Sequence, residues 1–200
     1  LEKMSTSGAL FDLDKLNNIS KDVLLKIPIE EIYLFLLNWA KGYKKEIVNV
    51  LENNEDSVKK LLSIGRYDNK PRKDLMHCEQ MFEFISYFFD EYFDIVDNYP
   101  ENIDEAEAKK LLHEYLVTYD HNDDQSQWFD KIRAVASENG YAAKPKDHKK
   151  NPDMYKGHVG DVSTVIRIAL VGRSVSPDVW EIQQIMGEDK VRERINKAIN

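Results

Sequence analysis

The sequence predicts an all-α fold, and three observations carry that prediction. Apolar residues recur at intervals of three and four through most of the chain, which is the spacing of amphipathic helices. Only 8 Gly and 6 Pro occur in 200 residues, too few for a loop-rich or many-turned β protein. Helix start and stop signals stand where the periodic segments begin and end. With 42% hydrophobic and 32% charged residues, a buried core is feasible and wholesale disorder is not expected.

The chain opens at Leu1 rather than Met, and a helix-like pattern begins almost at once, as expected of a piece cut from a longer protein. From Ile29 to Val50 one stripe runs through Ile32, Leu36, Trp39, Ala40, Tyr43, Ile47 and Val50. Pro28 stands at its entry, and Glu30 and Glu31 suit the positive end of the helix dipole. Glu55 to Ile64 repeats the pattern, with Gly65 as its stop. Residues 65–74 carry turn chemistry without periodicity and read as a loop. A strongly aromatic, helix-like stretch follows from Leu75 to Asp97, its rings on so many sides that they must meet more than one neighbour.

Ile103 to Tyr119 makes another helix. Asp123 or Asp124 caps the next, which runs through Trp128, Ile132 and Val135 to a stop at Gly140. A lysine-rich connector extends to Lys150 and reads as a polar loop. Asp161 is expected to cap Val162 to Val171, with Gly172 just past the end. Ser176-Pro177-Asp178 reads as N-cap, N1 proline and first-turn acid of a short helix ending before Gly187. Glu188 to Ile199 is the last helix. No internal repeat appears, and no convincing strand.

The net charge of −8 taken alone argues against a nucleic-acid partner. Its distribution along the chain argues otherwise. Residues 141–200 hold 11 Lys+Arg against 8 Asp+Glu, a net +3, whereas residues 1–140 hold 17 against 28, a net −11. Between Asp90 and Asp130 thirteen acidic residues face only Lys109 and Lys110, so phosphates must approach elsewhere. Two basic stretches are available: Arg66, Lys70, Arg72 and Lys73, and then Lys144, Lys146, Lys149 and Lys150 with His148.

Catalytic signatures are absent. There is no glycine-rich phosphate loop, no H-E-x-x-H and no nucleophile elbow, so no catalytic residue is assigned. A single cysteine, Cys78, rules out an internal disulfide and fits a reducing compartment. His113 and His121, with Asp120, Asp123 and Asp124 nearby, match no compact metal site, and no metal is expected. Gly157-His158-Val159-Gly160 imitates a phosphate-binding turn without the strand that should precede it. No run approaches the ~18 apolar residues of a membrane span, and no signal-peptide core is present, so a cytoplasmic location without membrane contact is expected.

Four stretches carry a family resemblance. Gly157 to Ser174, continuing through Ser176-Pro177-Asp178-Val179-Trp180-Glu181-Ile182 to Gly187, resembles the C-terminal anticodon-binding domain of bacterial glutamyl-tRNA synthetases. Ser126-Gln127-Trp128-Phe129-Asp130-Lys131-Ile132 to Gly140 is similar to their penultimate helical region. Gly65-Arg66 with Lys70-Pro71-Arg72-Lys73-Asp74, followed by the Phe-rich helix, looks like a subgroup of these enzymes. Ser7-Gly8-Ala9-Leu10-Phe11-Asp12-Leu13-Asp14-Lys15-Leu16-Asn17 resembles the segment that leads into their stem-contact region. Lys3-Met4-Ser5-Thr6-Ser7 looks like the K-M-S-K-S signature of class I synthetases, but Thr6 replaces the second lysine and cannot serve a polyphosphate as an ammonium does.

The resemblance implies the C-terminal part of a glutamate–tRNA ligase, with residues 1–120 forming a stem-contact region and first helical bundle and residues 121–200 a C-terminal anticodon-binding bundle. The full enzyme uses ATP and Mg²⁺ to charge its tRNA. This chain is expected to have neither cofactor nor activity alone, and to partner a glutamate tRNA and the N-terminal catalytic domain of a monomeric enzyme. By motif position, Arg167, Ser176, Pro177 and Val179 are implied to contact anticodon bases. Arg66, Lys70, Arg72 and Lys73, with Lys146 and Lys149 as a second group, are expected to meet phosphates. The alternative is an acidic helical protein–protein adaptor whose basic loops are merely solvated. A glutamine-charging synthetase, which typically reads anticodons with β-barrels, fits an all-α chain poorly.

Overall fold

The computed structural model describes residues 12–200; the Lys3–Ser7 motif lies outside them. The chain forms two compact units, Leu1–Glu83 and Phe84–Asn200. Among the described residues helices are the regular structure, with one isolated parallel bridge between Ala142 and His158 and no strand.

In the first unit, α1 (Leu13–Leu24) is capped by Asp12, whose carboxylate accepts the Lys15 N–H. α2 (Ile29–Tyr43) starts after Pro28 and buries Ile32, Tyr33, Leu36, Leu37 and Ala40. The helix expected to continue to Val50 breaks at Lys44, where the backbone turns to φ −148° and ψ 63°. A 3₁₀ turn over Lys45–Ile47 and α3 (Val48–Asn53) follow. Ile47 and Leu51 remain fully buried across the break, so the apolar stripe persists although the helix does not. α4 (Glu55–Ser63) packs on α2 through Val58, Leu61 and Leu62.

The aromatic stretch is helical only over α5 (Cys78–Ser86), within which the boundary between the units falls. Tyr87, Phe88 and Phe89 are buried in the turns beyond it, and Phe88 meets Phe89 edge to face at 5.5 Å. Further on, the Val96 and Asp97 N–H groups both donate to the Gly172 carbonyl, at 2.9 and 3.2 Å, which holds this segment out of the helix the rings suggest. Gly172 itself has φ +71°, and a Cβ there would lie 1.9 Å from the Asp94 carbonyl oxygen. Only glycine fits such a position.

The second unit is built on α6 (Glu105–Thr118), α7 (Gln125–Glu138), α9 (Val159–Val171), α10 (Val179–Met186) and α11 (Glu188–Ile199). α9 is its central helix, burying eight residues from Val159 to Val171, and touches α6, α7 and α11. Because α6 packs on α7, α9 and α11, the packing boundary lies well ahead of the division expected near residue 120.

Three local expectations are corrected here. α9 begins three residues earlier than expected: His158 Nδ1 accepts the Gly160 N–H at 3.0 Å, and Asp161 reaches back to the His158 N–H at 2.8 Å. Asp161 is therefore the inner half of a capping box, not the cap. α10 is capped by Asp178, which accepts the Glu181 N–H, so Ser176 and Pro177 lie in the turn before it. The lysine-rich connector contains a short helix, α8 (Pro145–Lys150), started by Pro145.

Candidate nucleic-acid interface

Arg167 leaves the buried helix α9 between two core residues, Ile166 and Ile168. It shares its face with Ser163, four residues earlier. Both line an open cleft of about 400 Å³ whose other walls are Gln125, Ser126, Trp128, Phe129 and Arg133 of α7 and Asp178 and Val179 at the start of α10. Three helices thus converge on one arginine.

The Arg167 guanidinium is only partly committed. Its Nη1 donates to the Ser174 carbonyl at 3.2 Å, while its Nε is closed off from solvent with no acceptor among the described residues. Burial pushes its pKa down, and the nearby Asp178 charge opposes that shift. The group stays charged, since arginine does not deprotonate in proteins. No ion pair ties it to a carboxylate among the described residues, so it is neither sealed inside nor neutralised.

Its anchors are held in turn. Asp97 accepts both the Ser174 N–H, at 2.7 Å, and the Ser174 hydroxyl, at 2.6 Å, fixing the residue whose carbonyl holds Arg167. These hydrogen bonds keep the Asp97 carboxyl below its usual range. Asp178 caps α10 with one oxygen and accepts from Gln125 Nε2 at 2.8 Å with the other, joining the starts of α7 and α10. Behind the cleft, Trp128 Nε1 donates to the Tyr115 hydroxyl at 3.0 Å, and that hydroxyl donates to Gln183 Oε1 at 2.5 Å. Burial pushes the Tyr115 pKa up, so the phenol remains a proton donor.

Of the four residues expected at bases, Arg167 and Val179 come together in the cleft. Ser176 and Pro177 are not in its lining; the Ser176 hydroxyl donates to the Pro177 carbonyl at 2.8 Å. The residues that sequence reasoning missed are Phe129 and Arg133. Their spacing from Ser126, three and seven residues, places all three on one face of α7 beside the buried Trp128 and Ile132, a signal masked by reading the segment as core.

The basic loop divides into structural and available groups. Arg66, expected at phosphate, is 7% exposed, and its Nη2 donates to the carbonyls of Leu24, the last residue of α1, and of Ile27 in the turn after it. That is a correction: the guanidinium ties the end of α1 to the turn that follows it, and Arg66 is committed there rather than to phosphate. The Arg72 N–H donates to the Gly65 carbonyl at 2.8 Å, and the half-buried Arg72 guanidinium meets Asp74 at 2.9 Å. Lys73 is exposed and pairs with Asp22 at 2.8 Å, and Lys70 is exposed. In the second unit, α8 places Lys146, Lys149 and Lys150 on one exposed face. Among the described residues no group of three or more His, Cys, Asp or Glu could hold a metal, and no helix is long and apolar enough to cross a membrane.

Residues 156–199, which take in α9, α10 and α11, match the anticodon-binding domain family. Over 199 residues the chain is 76% identical to a glutamate–tRNA ligase of Acetivibrio thermocellus, a match covering 100% of the chain and 36% of the relative. It is 45% identical over 199 residues to the glutamate–tRNA ligase of Clostridium perfringens strain 13, covering 98% of the chain and 36% of that protein. With the glutamate–tRNA ligase of Sorangium cellulosum it shares 37% identity over 201 residues, covering 100% of the chain and 35% of the relative. The chain therefore spans a little over a third of the length of these curated relatives. With Arg167, Asp178 and Val179 all inside the matched domain, the chain belongs to the glutamate–tRNA ligase family and carries its anticodon-binding domain at residues 156–199.

Proposed function

We propose that this chain grips the anticodon arm of a glutamate tRNA as part of a glutamate–tRNA ligase. The observation that carries this reading is Arg167, a half-buried guanidinium with no ion pair among the described residues, lining an open cleft. An unstacked base entering the cleft from solvent meets this charged, planar group with its acceptor edge. Val179 gives the base an apolar wall, and the turn at Ser176 and Pro177 places its backbone groups beside the start of α10.

Phosphate contacts fall to Lys70 and Lys73 in the first unit, with Arg72 beside them, and to Lys146 and Lys149 on α8. Stem contact belongs to the first part of the chain, and base reading to the second. The remaining length of the ligase supplies the catalytic domain and its ATP and Mg²⁺. The working enzyme is a cytoplasmic monomer. The Acetivibrio, Clostridium and Sorangium relatives are all tRNA ligases, and none supports the adaptor alternative.

Titration of a glutamate tRNA with this chain at several salt concentrations tests the reading. Binding that weakens steeply with rising salt is expected. An absence of binding at low salt contradicts it.

A further inference from the structure

Arg194 of α11 is 3% exposed and lies outside the cleft lining. Its guanidinium reaches two separate segments. Nη1 donates to the Leu170 carbonyl in the last turn of α9 at 2.7 Å, while Nη2 donates to Asp90 Oδ1 at 3.0 Å and to the Phe88 carbonyl at 3.4 Å. Lys190, one turn earlier on α11, meets the same two acceptors, the Phe88 carbonyl at 2.7 Å and Asp90 Oδ1 at 3.0 Å. The Arg194 guanidinium carbon also lies 4.0 Å from the centre of the Phe93 ring. Two cations on one face of α11 therefore clamp residues 88–93.

Residues 88–97 form neither helix nor strand, so the bonds they make elsewhere set their course. The far end of this strap runs beside the end of α9. There the Val96 and Asp97 N–H groups donate to Gly172, and Asp97 accepts from Ser174, whose carbonyl holds Arg167 Nη1 at 3.2 Å. The Ser174 N–H, four residues beyond Leu170, is committed to Asp97 and not to the Leu170 carbonyl, which Arg194 Nη1 takes instead. A cation in that place also suits the negative end of the α9 dipole. Arg194 thus touches both supports of Ser174, the end of α9 and the strap that carries Asp97.

Filling the core does not require this side chain, because apolar residues of similar volume often replace a buried ion pair without loss of stability. Nor does charge alone explain it, since a lysine has no planar fork with which to hold two segments in one geometry. What the guanidinium adds is registration of the strap against α9. We propose that Arg194, assisted by Lys190, is a positioning residue for the anticodon site: it registers residues 88–97 against the end of α9 and so places the Ser174 carbonyl that orients Arg167. The proposal rests on the anticodon reading above and adds to it a residue that touches no base.

The test measures the affinity of this chain for a glutamate tRNA with its own anticodon and for one with a scrambled anticodon. The parent is compared with Arg194→Lys, Arg194→Met, Arg167→Ala and the two double variants, each well below its melting temperature. Either Arg194 variant should cut the preference for the cognate anticodon by roughly two- to thirtyfold, while affinity for the scrambled tRNA and the salt slope stay at the parent's values. In the Arg167→Ala background the same substitutions should remove no further preference, because the group they misplace is gone. A preference that survives in the folded Arg194 variants overturns the proposal and leaves Arg194 with a role in stability alone. An equal loss with and without the Arg167 side chain overturns it too. Should the parent itself fail to distinguish the two tRNAs, the anticodon reading falls and the proposal with it. If the Arg194 variants do not fold, Asp90→Asn and Lys190→Met decide at the outer end of the clamp, where Asp90 is 70% exposed. Both should lower the preference, and an unchanged preference in both overturns the proposal.

Discussion

The Tyr115 hydroxyl donates to Gln183 Oε1 across 2.5 Å in the core of the second unit, joining α6 to α10. Through the same oxygen Tyr115 accepts from Trp128 of α7, while Gln183 Nε2 donates to the Val179 carbonyl at 3.2 Å. Two cleft-lining residues, Trp128 and Val179, thus hang on one phenol. Tyr115→Phe strands a buried indole N–H and a buried amide oxygen, at a cost of about 1–3 kcal/mol each. The expected outcome is a lower unfolding free energy in denaturant together with a weaker preference for the cognate anticodon.

Asp97 anchors Ser174, and through it Arg167. Because hydrogen bonds hold its folded-state pKa below the unfolded value, Asp97 stabilises the fold fully above about pH 4, where the unfolded chain's aspartates ionise. That contribution fades as pH falls through the lowered folded value. Asp97→Asn should flatten this part of the acid-side fall in melting temperature. An identical acid profile in the variant would remove Asp97 from the Arg167 support.

Gly172 ends α9 in the left-handed region and receives both N–H groups of Val96 and Asp97. Gly172→Ala adds left-handed strain of roughly 1–2 kcal/mol and drives a methyl into the Asp94 carbonyl. Equilibrium unfolding should show a loss larger than the strain alone, and the neighbouring Ser174 amide should exchange faster with deuterium.

The α8 lysines act at long range. Replacing both Lys146 and Lys149 by Ala should reduce the slope of log affinity against log salt by about 1 to 2, with anticodon preference intact. Arg66→Ala should behave in the opposite manner, lowering the stability of the first unit while leaving the slope alone.

The sequence discloses those parts of the fold in which a local signal and burial agree. The Asp124 cap, one of the two aspartates the sequence offers there, the Gly172 stop, the Pro28 entry and the last helix stand where spacing and cap chemistry place them. Breaks that leave the apolar stripe intact are invisible to periodicity, as at Lys44. The aromatic stretch misleads because non-local bonds to Gly172 decide its backbone. Arg66 reads as a surface cation because nothing local shows that its guanidinium folds back onto carbonyls some forty residues earlier in the chain. In the cleft, motif position alone singles out Arg167. It does not single out Phe129 and Arg133, which become neighbours of Arg167 only when α7 packs on α9.

Anticodon discrimination by Arg167→Ala tests the central claim most directly. Affinity of parent and variant is measured for a glutamate tRNA with its own anticodon and with a scrambled one. The variant should lose far more affinity for the cognate anticodon than for the scrambled one. Equal losses on both would make Arg167 a phosphate contact and contradict the account of the cleft as a reader of bases.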